Sequence, residues 1–371
     1  MNELKHILIL GGTGAMGCNL VSLLSKQANT YVVVTSRRVH PNSESVEYKQ
    51  GNAHEFEWLK GILQEREWDA IVDFMVYQTS EFQQRANLLL NSTKQYVFFS
   101  SARVYADSGD SLITEESPRL LDVCTDTEYI KTDEYALAKA RQENILTNSS
   151  NKNWTIIRPY ITFSSDRLQL GVMEKELWLV PALNNRPIVF SKDIAHCYTT
   201  MTDGLVVAKC IVALLFHRDA LGEIFHIASN KSQTWETILN WYIEAYKKTT
   251  NTTPTVYMLD KWDCKIGGGE YQYLYDRLYN RRFDNSKICR FISQEVFEST
   301  EETIKKAITT FIKSYNPHIT DLNQRIEFDR GVITGCFLPW KYIKGRKNKL
   351  KVLAYKLHIF KLLQNIYNLW H

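Results

Sequence analysis

Apolar residues along the chain fall in short runs separated by stretches of helical period. HILIL (6–10) is a short apolar run ending in glycines, residues 14–28 have the spacing of a helix, and YVVVTS (31–36) is β-branched and strand-like. The alternation returns as AIVDF (70–74), a helix around 79–92, QYVFFSS (95–101), a polar, turn-rich insertion at 106–128, a helix near 133–149 and a strand at WTIIR (154–158). Strands alternating with helices predict right-handed crossovers and a parallel sheet covered on both faces. From about residue 160 the pattern loosens. EIFHIAS (223–229) reads as one more strand and TWETILNWYIEAYKK (234–248) as an amphipathic helix, while STEETIKKAITTFIKSY (299–315) opens with the Ser/Thr-x-x-Glu signature of a capped helix.

Composition adds little until charge is examined along the chain. At 371 residues with ordinary apolar and charged fractions, the chain buries a full core and is neither disordered nor fibrous. Seven cysteines without a C-x-x-C pair, and a polar start that runs straight into a strand, predict reduced thiols in a cytoplasm. No apolar run approaches the roughly 18 residues of a membrane span. The net +4 hides an asymmetry: from Gly331 to His371 there is no Asp or Glu, while Lys341, Lys344, Arg346, Lys347, Lys349, Lys351, Lys356 and Lys361 give about +8. In the same tail Leu353, Leu357, Phe360, Leu363, Tyr367 and Trp370 recur at helical spacing, with Lys361, Gln364, Asn365 and Asn368 on the other side. That predicts a basic amphipathic helix over 341–371, lying at the inner face of an anionic membrane or packed on the protein's own lobe or a second subunit.

Two short motifs carry the chemistry. In GGTGAMG, Gly11 permits a tight turn out of the first strand, Gly14 lets the backbone approach a pyrophosphate, and Gly17 lets the helix pack on the sheet, with Thr13, Ala15 and Met16 completing the turn. In YALAK, Tyr135 and Lys139 lie four apart on one helix face, so the ammonium can sit near the phenol and lower its pKa. The end of the second strand reads Thr35-Ser36-Arg37-Arg38, with no carboxylate to hold a ribose 2′-hydroxyl and two guanidiniums suited to a 2′-phosphate. This predicts NADP over NAD; a solvated basic turn is the alternative. Nine histidines lack the paired spacing of zinc ligands, which predicts no metal, and His196, His217 and His226 are expected to be structural. Gly267-Gly268-Gly269 is expected to be a loop turn or a lid.

GGTGAMG, SSARVY (100–105), YALAK and IIRPY (156–160), in that order, resemble the extended short-chain dehydrogenases/reductases of the NAD(P)-dependent epimerase/dehydratase group, which act mostly on nucleotide sugars. TTMTDGLVVA (199–208), with Asp203 at a hinge, GEIFHIASNKSQTWETI (222–238) and FDNSKI (283–288) resemble its later parts, especially the atypical branch. The resemblance implies an α/β fold: a Rossmann-type doubly wound parallel sheet over 1–160, its core continuing to about 230, a smaller C-terminal α/β substrate lobe over 161–330, and the basic helical tail over 331–371. It implies Tyr135 as general acid/base, Lys139 on the nicotinamide ribose and Ser101 orienting the substrate oxygen. Ser100, Asn52, Asp73, Met75, Tyr77 and Pro159 would border the cofactor, and a homodimer is common in the group. Ala102-Arg103 stands where the group's dehydratases carry Asp-Glu, which disfavours dehydration. The expected activity is therefore a keto-sugar reductase or epimerase in surface-polysaccharide sugar synthesis, with a predicted 2′-phosphate pocket favouring the reductase. The alternative is an RNA-binding or scaffold protein without turnover.

Overall fold

In the computed structural model, which describes residues 3–267, 269–297, 300–316 and 323–360, the β-branched runs become strands and the helical stretches join them. In chain order the main elements are β1 (Lys5–Leu10), α1 (Ala15–Leu24), β2 (Thr30–Ser36), β3 (Val46–Gln50), α2 (Phe56–Gln64), β4 (Ala70–Asp73), α3 (Thr79–Asn91), β5 (Tyr96–Phe99), α4 (Tyr135–Thr147) and β6 (Trp154–Pro159). They continue as α5 (Lys175–Leu183), β7 (Ile188–Ser191), α6 (Gly204–Leu214), β8 (Glu223–Ile227), α7 (Trp235–Thr250), β9 (Val256–Leu259), α8 (Thr300–Ser314), α9 (Gln324–Thr334) and α10 (Arg346–Lys356).

Seven strands pair in the order β8-β6-β5-β4-β1-β2-β3, all parallel. The period of two along β1 explains why helices cover both faces: Ile7 and Ile9 join the core under α1 and α6, whereas Leu8 and Leu10 join the core under α2 and α3. Strand order reverses between β1 and β4, and the two connections leaving their carboxyl ends diverge. That divergence opens a crevice where an open α/β sheet takes its ligands. A separate apolar cluster around Trp178, Phe190, Trp235, Tyr242 and Ile304 gathers α5, α7 and α8 beside the parallel pair β7–β9. This is the doubly wound sheet with smaller C-terminal α/β elements that the sequence predicts.

Element ends differ from the sequence pattern where local chemistry intervenes. Helix α1 stops at Leu24, short of the expected residue 28, and the chain turns through Asn29 at φ 59° before β2. The strand expected over 95–101 ends at Phe99, so Ser100 and Ser101 leave the sheet. Strand β3 escapes the pattern because VEYKQ is polar and only partly covered at the sheet edge, and α2 is likewise unpredicted. Ser299 of the expected capping signature lies outside the described residues, as does the tail from Lys361 to Trp370.

Within the described part of the tail, one side of α10 packs and the other does not. Val352 joins Leu338, Ile343, Phe328 and Phe337 in a small core, and Tyr355 donates to the Val332 carbonyl at 3.2 Å. Leu350, Leu353 and Leu357 remain exposed. Among the described residues no helix is long and apolar enough to cross a membrane.

A buried ionic cluster ties α4 to β5 and β6. Glu143 is fully buried and accepts from Arg158 Nε and Nη2 at 2.8 and 2.7 Å, from Arg119 Nη1 at 3.2 Å and from Ser100 Oγ at 2.5 Å. Removing the carboxylate strands Arg158, itself 2% exposed, in the interior. Glu143→Ala should therefore cost about 3–5 kcal/mol in urea denaturation. Arg119→Ala should cost clearly less, because Glu143 keeps its two bonds to Arg158.

Candidate active site

The crevice is floored by the glycine turn between β1 and α1. Gly11 takes φ +69°, which a side chain resists, and its N–H donates to Thr35 Oγ1 on β2 at 3.0 Å. A Cβ on Gly17 would lie 2.5 Å from the Gly12 carbonyl oxygen, so only glycine permits the helix to pack this closely. Gly14 is the N-cap of α1 and makes no side-chain cap, and a Cβ there would meet nothing within 4 Å. The first N–H groups of α1 thus face open space with a positive dipole end, which suits a pyrophosphate.

Opposite this turn stand the residues that follow β5 and begin α4. Ser101 opens a short turn, Ala102–Val104, and its Oγ accepts the Arg103 N–H at 3.2 Å. Tyr135 is the first residue of α4, behind Glu134, whose carboxylate caps the helix by accepting from the Ala136 N–H at 2.9 Å. Gly11, Gly14–Gly17, Ser100, Ser101, Tyr135, Lys139 and Pro159 all line one cavity of about 480 Å³. Thr13 borders an adjoining cleft with Gly14 and Ala15.

Burial sets the electrostatics of this wall. Lys139 is 2% exposed, donates to the Met75 carbonyl at 3.3 Å and lies 4.6 Å from the Phe98 ring centroid. Desolvation draws its pKa down to about 8 against the opposing fields of Asp73 and Glu143. Burial also raises the Tyr135 phenol, and the fields of Arg103 and Arg167 and a hydrogen bond with Ser101 oppose that rise. The sequence assigns the lowering of Tyr135 to Lys139. In the structure that part falls to Arg103 and Arg167 instead, Arg103 standing 5.4 Å from the Tyr135 ring centroid.

Other expected cofactor contacts lie outside the cavity. Asp73 is fully buried and accepts from Tyr77 Oη at 3.0 Å, Tyr96 Oη at 2.8 Å and the Met75 N–H at 2.9 Å, so it seals the end of β4. Tyr77 is turned inward with it. Met75 meets the site through its carbonyl to Lys139 and through its sulfur, packed beneath Gly11. Asn52 accepts the His54 N–H at 3.2 Å just before α2. Ser36 is buried at the end of β2 and accepts the Arg38 N–H at 3.1 Å, while Arg37 and Arg38 are exposed.

Among the cavity residues that the sequence does not single out as site residues, six carry a charged or amide side chain: Arg103, Arg167, Glu174, Gln169, Gln272 and Arg277. The last two come from the segment after Gly269, which the sequence left as either a turn or a lid. Asp203, expected at a hinge, caps α6 by accepting the Leu205 N–H at 2.8 Å. His226 is buried, with Nε2 2.7 Å from the Asp284 carbonyl, and its pKa falls to about 4 through desolvation. All seven cysteines are free. Among the described residues no group of His, Cys, Asp or Glu could hold a metal ion.

The model of the NAD dependent epimerase/dehydratase family matches residues 7–204, more than half of the chain. The chain belongs to this family. It is an enzyme of the short-chain dehydrogenase/reductase type, as the ordered motifs imply. No curated protein matches it. Solved structures with the same fold include a dTDP-glucose 4,6-dehydratase from Bacillus anthracis in complex with NAD, at 16% identity and TM-score 0.63 over 84% of this chain and 97% of that one. A UDP-glucuronic acid 4-epimerase from Bacillus cereus, in complex with UDP-glucuronic acid and NAD, has 16% identity and TM-score 0.62 over 83% and 99%. The enzyme WbmH from Bordetella bronchiseptica, in complex with NAD+, has 14% identity and TM-score 0.64 over 84% and 99%.

These relatives correct the cofactor expectation. Six similar structures of this family's fold hold NAD, against the predicted preference for NADP. The physical reason lies in the exposure of Arg37 and Arg38: two solvated guanidiniums at a strand end are stable without a phosphate, so their presence does not imply one.

The glycine geometry makes a separable prediction for this family member. Gly17→Ala should lower stability by about 1–3 kcal/mol through its clash with the Gly12 backbone. Gly14→Ala should leave the melting temperature nearly unchanged, since its Cβ meets open space. Thermal denaturation of the two variants checks both.

Proposed function

We propose that this enzyme binds NAD in the crevice and interconverts epimers of a nucleotide-linked sugar. The observation that carries the reading is the meeting of the glycine turn with Ser101, Tyr135 and Lys139 around one cavity. The uncapped N-terminus of α1 and the open space above Gly14 fit a dinucleotide pyrophosphate, with Thr13, Ala15 and Met16 around it. Ser36 and Asn52, near the ends of β2 and β3, would border the adenosine half. When bound, the nicotinamide supplies hydride acceptance and return.

The chain's own residues move the proton. Tyr135 takes the proton of the sugar hydroxyl as that carbon is oxidised and gives it back on reduction, with Ser101 Oγ holding the oxygen. Lys139 binds ribose hydroxyls, and Arg103 and Arg167 favour the phenolate. With its pKa drawn to about 8, Lys139 keeps its charge at neutral pH. Elimination needs a proton-transfer group beside Ser101; Ala102 has none, and the Arg103 guanidinium donates hydrogen bonds but has no acceptor. The case for a reductase rested on a 2′-phosphate pocket and falls with it.

Two measurements on one preparation test this reading. The purified protein should retain oxidised NAD after dialysis, released on denaturation. Tyr135→Phe should keep that NAD and lose turnover by about 10²-fold or more. A protein that binds no dinucleotide would refute the assignment.

A second surface supports peripheral attachment to an anionic membrane. Exposed Leu350 and Leu353 on α10, with exposed Leu357 just past its end, lie among Lys347, Lys349, Lys351 and Lys356 in a segment without acids. Vesicles of phosphatidylserine and phosphatidylcholine should pellet the full chain, phosphatidylcholine alone should not, and Leu353→Glu with Leu357→Glu should abolish pelleting. Equal pelleting of wild type and the double variant would contradict attachment.

A further inference from the structure

The charges around the cavity do not balance. Lys139, Arg103, Arg167 and Arg277 line it, and Glu174 is the one carboxylate among its described lining residues. Glu174 is engaged by Arg167, whose Nε and Nη2 both lie 3.2 Å from Oε1. Behind the wall, Arg277 and Arg281 share the single buried carboxylate of Asp276. Arg281 directs its other donors to the carbonyls of Tyr105, Ala106 and Tyr275 and has no reach to spare.

Arg103 is held by one corner. Its Nη2 donates to Glu134 Oε1 at 2.7 Å, while Glu134 Oε2 is occupied by the Ala136 N–H and by Tyr129 Oη at 2.9 and 3.0 Å. The Arg103 Nε is buried with no hydrogen-bond partner. Three guanidiniums, of Arg103, Arg277 and Arg281, thus stand against two carboxylates, those of Glu134 and Asp276. Burial, with the fields of Arg103 and Arg281 adding to it, draws Arg277 down to about 10. A cationic surplus in a poorly solvated wall is costly until an anion compensates it.

The place of Arg103 says which anion it meets. It follows Ser101 by two residues and stands over the Tyr135 ring, at the end of the cavity where the reacting carbinol would lie. The pyrophosphate of the dinucleotide is accounted for at α1. A guanidinium presents a planar fork that matches a carboxylate, which a lysine at the same place would not.

We propose that Arg103 is a specificity-determining residue that binds a carboxylate on the sugar ring beside the reacting carbon, so that the substrate is an acidic sugar nucleotide. This rests on the sugar-nucleotide reading of the crevice. The test is calorimetric titration of the NAD-loaded protein with UDP-glucuronate and UDP-galacturonate against UDP-glucose and UDP-galactose, pairs that differ in the C6 carboxylate. The acidic members should bind at least about tenfold tighter. Arg103→Gln should remove that preference without weakening the neutral members, and Arg103→Lys should keep part of it.

Equal affinity of wild type for acidic and neutral members would overturn the Arg103 subsite and leave the sugar-nucleotide reading standing. So would an Arg103→Gln variant that weakens all four alike, since that is the mark of a merely structural arginine. Failure of all four to bind the NAD-loaded protein would overturn both. The wild-type comparison decides even if Arg103→Gln does not fold.

Discussion

Helix α4 carries Tyr135, Lys139 and Glu143 at four-residue spacing, so all three project from one face, and the buried pairing of Glu143 with Arg158 determines where that face points. Ser100 closes the same carboxylate from the end of β5, which fixes the neighbouring Ser101 relative to the helix. The site depends on this interior ion pair more than on any contact at its own surface. A carboxylate and a guanidinium without water have few alternative arrangements, so the proton-transfer wall is held rigidly two turns away from its anchor. The glycine turn on the opposite side has its own constraint, the approach of Gly17 to Gly12, and the sheet's switch point brings the two together.

Electrostatics in the crevice follow from the same burial. Lys139 loses part of its preference for the proton, Tyr135 is pushed toward its neutral form, and Arg103 beside Glu134 and Arg167 beside Glu174 oppose that push. A chain that places Arg103 where its dehydrating relatives are expected to carry an acid has exchanged a proton-transfer group for a permanent charge. In physical terms this turns a position suited to elimination into one suited to recognising an anion.

Local signals were legible and tertiary ones were not. HILIL followed by glycines, and YALAK following a strand that ends in two serines, identify the fold and the cavity's main residues because each depends on neighbours in sequence. Asp73 reads as a ligand group at a strand end, yet Tyr96 from the next strand and Tyr77 enclose it, a fact no spacing reveals. Arg103 was visible only as a departure, since its significance needs Glu134 from another segment. Gln272 and Arg277 reach the cavity from more than 130 residues beyond Tyr135, after the pattern has loosened. The misjudged cofactor shares this cause: Arg37 and Arg38 look like a phosphate pocket in sequence and lie in solvent in the fold.

The central claim is that one crevice unites dinucleotide and proton-transfer chemistry. A crystal structure of the protein with NAD tests it most directly. The account predicts the pyrophosphate over the Gly11–Gly17 turn and the nicotinamide end within hydrogen-bonding range of Lys139 beside Tyr135. NAD seated elsewhere, or a nicotinamide directed away from Tyr135 and Ser101, would contradict it.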